Sequence, residues 1–214
     1  FPSAFCSYTE TFCLIQQSYP PISANDYSLF SDSYHQISHQ VVSKLLAFEG
    51  RNLEQNHTLI QGNHGSGKTS ILKQIQHKLL ADKAVPQAYK HLSVIRLNEH
   101  EYGIRTIQGL CQCLSDHMEA RAQAHSFTLP PLHKSQVQTS PSDPWSHLVN
   151  WLNDTQTLLI ILIDNINCLL KQLDKDDYDF AVKNIFNAKQ AHYRLIASSA
   201  GSHSSLDVFT PIQI

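Results

Sequence analysis

Charge is scarce in this chain of 214 residues: 16 Lys and Arg stand against 18 Asp and Glu, 16% of the whole, for a formal net charge of −2. Without a basic excess there is no electrostatic footprint for a phosphodiester backbone, so direct nucleic-acid binding by this segment is not indicated. Long apolar runs are lacking too. The longest, Leu158 to Ile163, is far too short to span a bilayer, and no N-terminal apolar stretch precedes a cleavage-like site. A cytoplasmic protein with no membrane partner is expected. The five cysteines, Cys6, Cys13, Cys111, Cys113 and Cys168, are odd in number and lack the compact spacing of a disulfide scaffold, so reduced thiols are expected. Cys111 and Cys113 with His117 have the ingredients of a zinc site. On a helix, however, positions two apart project about 200° from each other, so both read as buried, apolar-like side chains. No His-Glu-x-x-His or similar metal spacing occurs, and there is no internal repeat.

Glycine is also sparse, seven in all, yet three fall together at Gly62, Gly65 and Gly67. Residues 62–69 read Gly-Asn-His-Gly-Ser-Gly-Lys-Thr, a full match to the phosphate-binding loop G-x-x-x-x-G-K-[ST]. The glycines let the backbone curl so that its N–H groups face phosphate oxygens, Lys68 reaches the β and γ oxygens, and the Thr69 hydroxyl ligates Mg²⁺. The expected nucleotide contacts are Gly62, Asn63, His64, Gly65, Ser66, Gly67, Lys68, Thr69 and Ser70. His64 reads as a variable position rather than a proton-transfer group, because the inner surface of such a loop is backbone. The context agrees with the motif. Thr58 to Gln61 is a short β-prone run, and Thr69 to Lys83 is free of Gly and Pro with Ile71, Leu72, Ile75, Leu79 and Leu80 on one helical face. The helix N-terminus adds unpaired N–H groups and its positive dipole end.

Residues 1–33, rich in Ser, Tyr and Pro, read as an extended arm, and 34–214 as the core. Helical spacing runs from about Tyr34 to Phe48. A second strand is predicted at Leu92 to Leu97, a helix from about Thr106 to Ala124, a surface loop over 126–144, a helix starting over Trp145 to Leu152, and a third strand at Leu158 to Ile163. A helix over Asp176 to His192 and a fourth strand at Arg194 to Ser199 complete the pattern. Strands alternating with helices, apolar enough for burial on both faces, predict an α/β fold, a three-layer α/β/α sandwich on a mainly parallel sheet. Ligands of such sheets sit at the carboxyl ends of the strands. The chain starts at Phe1 rather than Met and stops at Ile214 in the apolar stretch Val208 to Ile214, which predicts a piece of a longer protein.

The apolar run Leu158 to Ile163 ends in Asp164, placed to hold Mg²⁺ through its water shell. Asn165 follows, where hydrolytic members of this class usually carry Glu to orient the attacking water. An amide cannot accept a proton, so hydrolysis is slow or another carboxylate serves. Glu99 and Glu101, after the second strand, are candidates for that base, with a solvated strand exit as the other reading. Ser198 and Ser199 close the fourth strand, where Ser198 could touch the γ-phosphate or the attacking water.

With the phosphate loop, the strand ending in Asp164-Asn165 and the Ser198-Ser199 strand in that order, residues 35–205 resemble an additional-strand P-loop ATPase of the AAA+/STAND type. A closer likeness is to bacterial ATP-binding proteins in which the second strand runs into two acidic residues and a Tyr, here Arg96-Leu97-Asn98-Glu99-His100-Glu101-Tyr102-Gly103-Ile104. The resemblance implies an ATP-driven switch, with ATP and Mg²⁺ as cofactors. Such cores are usually coupled to a helical lid and a further effector or DNA-binding domain, and the resemblance leads to the expectation that this chain is truncated before them. Other domains, protein subunits or a second copy are the expected partners. The last 13 residues contain no Arg, so no arginine finger from the usual region is nominated. Two other classes remain open, a nucleotide-dependent interaction module without turnover and a small-molecule kinase. Kinases need a lid carrying arginines, and the 126–144 loop offers only Lys134.

Overall fold

The computed structural model describes residues 32–46, 57–81, 89–98, 103–125, 143–187, 192–201 and 209–214. The predicted arm over 1–33 lies outside them except for its last two residues, which begin helix α1 (Asp32–Leu46). Glu99, Glu101, Tyr102 and loop positions 126–142 also lie outside.

Among the described residues five strands form one sheet: β1 (His57–Gln61), β2 (His91–Leu97), β3 (Thr157–Ile163), β4 (Tyr193–Ser199) and β5 (Phe209–Gln213), in the order β2-β3-β4-β1-β5. Every pairing is parallel. All seven residues of β3 and of β4 are buried, as central strands covered on both faces must be. On one face α1 and α2 (Lys68–Ala81) pack Val41, Val42, Leu45, Ile71, Leu72, Ile75 and Leu79 against Ile60, Ile160, Leu162 and Ile196. The other face carries α3 (Ile107–His125), α4 (Pro144–Asp154), α5 (Ile166–Gln172) and α6 (Lys175–Phe180). This is the three-layer sandwich. On α3, Cys111 is buried, and that burial, with the Asp143 carboxylate a smaller influence, pushes its thiol up to about 12; it is inert at neutral pH. No helix among the described residues is long and apolar enough to cross a membrane.

Three elements depart from expectation. The helix predicted over 176–192 is α-helical only to Phe180, continues as a π turn over Ala181–Phe186 and stops, with residues 188–191 outside the described set. The Asn187 N–H donates to the Val182 carbonyl at 3.1 Å, five residues back, and the wide turn lets Ala181, Ile185 and Phe186 all face the core. Helix α5 was not expected. Nor was β5, although it holds Pro211 opposite Leu59; an edge strand tolerates proline because its outer side donates to no ladder.

Candidate functional site

Strand order decides what meets at the carboxyl edge of the sheet. Because β4 lies between β1 and β3, the loop after β1, Asp164 after β3 and Ser198-Ser199 at the end of β4 converge. The Gly62 N–H donates to the Ser199 carbonyl at 3.3 Å, extending the β1–β4 ladder one residue into the loop. The chain then turns, with Ser66 N–H donating to the Asn63 carbonyl at 3.2 Å. Gly65 and Gly67 take φ of +80° and +84°, left-handed values that a side chain would resist. Asn63, His64, Gly65 and Thr69 are exposed; Gly62, Ser66, Gly67, Lys68 and Ser70 are half-buried.

Helix α2 starts at Lys68, whose ammonium donates to the Gly62 and Asn63 carbonyls at 2.8 and 2.6 Å and to Ser66 Oγ at 3.4 Å. Among the described residues, the amide N–H groups of Gly67, Lys68, Thr69 and Ser70 have no intramolecular acceptor. These are the orphan donors of a helix start, and the Lys68 ammonium belongs to the same first turn. Unpaired donors at a helix start suit phosphate oxygens.

Asp164 faces the loop from β3. Its N–H donates to the Leu97 carbonyl at 3.0 Å, its carboxylate is largely buried, and Oδ1 accepts from Thr69 Oγ1 at 3.1 Å and from Ser198 Oγ at 2.8 Å. A hydroxyl and a carboxylate from two elements meet here as paired hard oxygen donors, the chemistry that holds Mg²⁺. The site residues thus fit a magnesium-bound nucleotide: the amides and Lys68 for phosphate, Thr69 and Asp164 for the ion.

Ser198 sits as a bracket. Its hydroxyl donates to Asp164 and accepts the Asn165 N–H at 2.8 Å, so in this structure its proton is directed to Asp164 rather than outward. Asn165 adopts φ 57°, ψ 69° and starts α5. Asn is the non-glycine residue most at home there, because its short amide tolerates the left-handed region. That is a physical reason for Asn where Glu is usual. Replacing Asn165 by Ala is expected to lower stability by about 1 kcal/mol while Gly leaves it near wild type; denaturant melts check this, and equal losses would show that the amide contacts, not the backbone, set the preference.

The structure brings Lys68, Thr69, Asp164, Asn165 and Ser198 together; Glu99 lies outside the described residues. It also brings in groups not foreseen. Asn167 Nδ2 donates to Ser199 Oγ at 3.1 Å, and the Ser199 hydroxyl donates to the Gly201 carbonyl at 2.6 Å, fastening α5 to the end of β4. Tyr34 of α1 donates to the Ser66 carbonyl at 3.0 Å. Beyond β5, Ile214 N–H donates to the Gln61 carbonyl at 2.9 Å, beside the first loop glycine.

No family model matches the chain, and no curated protein sequence does. Similar solved structures exist. A Walker-type ATPase of Pyrococcus abyssi aligns over 86% of this chain and 48% of its own at 14% identity, with a TM-score of 0.50. The fold is that of a P-loop NTPase. PCH-2 of C. elegans aligns over 86% of this chain and 42% of its own at 15% identity and a TM-score of 0.47. The ORC1 protein of Aeropyrum pernix, solved in complex with DNA, aligns over 78% and 37% at 18% identity and 0.46. This chain therefore spans less than half the length of each.

Proposed function

We propose that this chain is the nucleotide-binding core of an ATP-dependent switch, of the AAA+/STAND kind that its motifs resemble. It binds Mg·ATP with residues 62–70 and Asp164 and hydrolyses it slowly. The observation that carries this reading is the 3.1 Å hydrogen bond from Thr69 Oγ1 to Asp164 Oδ1, because it joins the phosphate loop to a carboxylate from another strand at the place a metal needs both. The bound Mg²⁺ supplies charge neutralisation and polarisation of phosphate oxygens. Lys68 exchanges its hold on two loop carbonyls for the nucleotide's oxygens, the helix-start amides orient the phosphates, and Ser198 keeps Asp164 turned toward Thr69. Other domains of a longer chain, protein subunits or a second copy are the proposed partners, in the cytoplasm.

Binding without turnover is a second reading, favoured by one observation: the residue after Asp164 is an amide locked in a left-handed backbone and hydrogen-bonded to Ser198. Steady-state phosphate release separates the two. Turnover below about one per second is expected, since an arginine supplied in trans contributes about 10³–10⁵ in rate. A further fall in Glu99→Gln or Glu101→Gln would identify the base. Release at several per second, insensitive to both substitutions, would contradict the slow-switch proposal.

A further inference from the structure

The middle of the phosphate loop is held by a hydrogen bond from a distant side chain. Among the described residues, Tyr34 makes the sole side-chain hydrogen bond to residues 62–67 that comes from beyond the motif, its hydroxyl donating to the Ser66 carbonyl at 3.0 Å. The ring lies on the next residue. A methyl group at Gly67 would stand 2.6 Å from the Tyr34 hydroxyl oxygen, 2.7 Å from Cζ and 2.9 Å from Cε2. Gly67 is therefore required twice, by its φ of +84° and by the tyrosine seated against it.

A trans peptide is planar and points its C=O and N–H in opposite directions. A hydroxyl that pins the Ser66 carbonyl on the Tyr34 side consequently turns the Gly67 N–H to the opposite side. That N–H, with those of Lys68 and Thr69, is among the amides that have no acceptor within the described residues. Within the motif, Lys68 holds the Gly62 and Asn63 carbonyls, and those bonds are given up when the ammonium turns to a phosphate. The Tyr34 bond lies outside that exchange.

Helix α1 can serve as the fixed end of such a brace. Val41, Val42 and Leu45 are packed in one core with Ile71, Ile75 and Leu79 of α2. Polar contacts tie the same two helices: in a buried bond Ser38 Oγ donates to Gln74 Oε1 at 3.2 Å, and the Lys78 ammonium, part-buried, donates to Ser38 Oγ at 2.9 Å and to the His35 carbonyl at 3.2 Å. Tyr34 is thus held by the very helix that begins at the phosphate loop.

We infer that Tyr34 is a positioning residue that aims the Ser66-Gly67 peptide, so that phosphate affinity depends on the tyrosine hydroxyl. The inference rests on the nucleotide-binding reading. Tyr34→Phe keeps the ring on Gly67 and deletes only the hydroxyl. Its test is calorimetry of the 214-residue chain with Mg·ADP and with pyrophosphate, alongside Lys68→Ala, thermal melts, and the Gly67 amide resonance of ¹⁵N-labelled protein during pyrophosphate titration. Tyr34→Phe is expected to weaken both probes about fivefold, the size of one neutral hydrogen bond. The Gly67 amide should shift less on saturation, and the melting temperature should stay within about 2 °C of wild type. Affinity within about twofold of wild type, or weaker binding with the Gly67 shift unchanged, overturns the role of Tyr34. Where wild type binds, Lys68→Ala does not, and Tyr34→Phe matches wild type, this inference alone fails. Where Lys68→Ala binds as well as wild type, both it and the nucleotide reading fail.

Discussion

Lys68→Ala is expected to weaken Mg·ATP binding by about a hundredfold or more while leaving the fold in place. The ammonium is the only side-chain cation on the 62–69 loop, and charge-assisted hydrogen bonds contribute roughly 1.5–3 kcal/mol each, so losing contact with two phosphate oxygens reaches that size. The same change costs the protein itself little. In the structure Lys68 is half-buried and holds two loop carbonyls beside exposed residues, where water can replace it; no core volume is removed, and the stability change should stay within about 1 kcal/mol. Calorimetry and a denaturant melt on the same preparation separate the two effects. A mutant with undiminished affinity would remove the phosphate-loop reading.

Asp164→Asn should produce the second large effect, and a conditional one. In Mg²⁺ the affinity for ATP is expected to fall on the order of tenfold or more, because the lost charge acts through the ion. In chelator it should change by about twofold at most. Ser198→Ala provides the contrast. It leaves the carboxylate charge in place but removes the donor at 2.8 Å to Asp164 and the acceptor at 2.8 Å for the Asn165 N–H, so it should lower stability by about 1–2 kcal/mol and affect nucleotide binding less than Asp164→Asn does. Equal losses for Asp164→Asn with and without Mg²⁺ would mark Asp164 as a strand-end turn residue.

Much of this was readable in the residues, and the reasons are particular. Central strands β3 and β4 are buried along their whole length, so β3 carries the apolar run Leu158 to Ile163 and β4 the shorter one Leu195 to Ala197, and the polar residues that end them, Asp164 and Ser198, stand out at once. The loop is legible because its chemistry admits few alternatives at Gly62, Gly67, Lys68 and Thr69. What escaped lies where signal is weak or non-local. Strand β5 sits at the sheet edge with two of its five residues exposed and a proline inside, and so lacks both the run and the usual composition. Helix α5 has seven residues, too few to display a period, and it begins directly after the left-handed Asn165. The π turn rests on five-residue hydrogen bonds, such as that from the Asn187 N–H to the Val182 carbonyl, which spacing does not announce. Tyr34 reaches Ser66 across 32 positions, and nothing local to either residue signals the contact. Ser198 stands near the end of β4, and its hydroxyl links Asp164 to Asn165 across 34 and 33 positions, which no local pattern signals.

The central claim is that residues 62–70 with Asp164 form one magnesium-nucleotide site. The most direct measurement is a calorimetric titration of the unmodified chain with ATP, run once with Mg²⁺ and once with a chelator, followed by competition with pyrophosphate and with adenosine. The account predicts a single saturable site that is tighter with the metal and is displaced by pyrophosphate more effectively than by adenosine, since the unpaired amides and Lys68 suit phosphate oxygens rather than a base. Absence of saturable binding up to about 1 mM ATP, or displacement by adenosine but not by pyrophosphate, would contradict it.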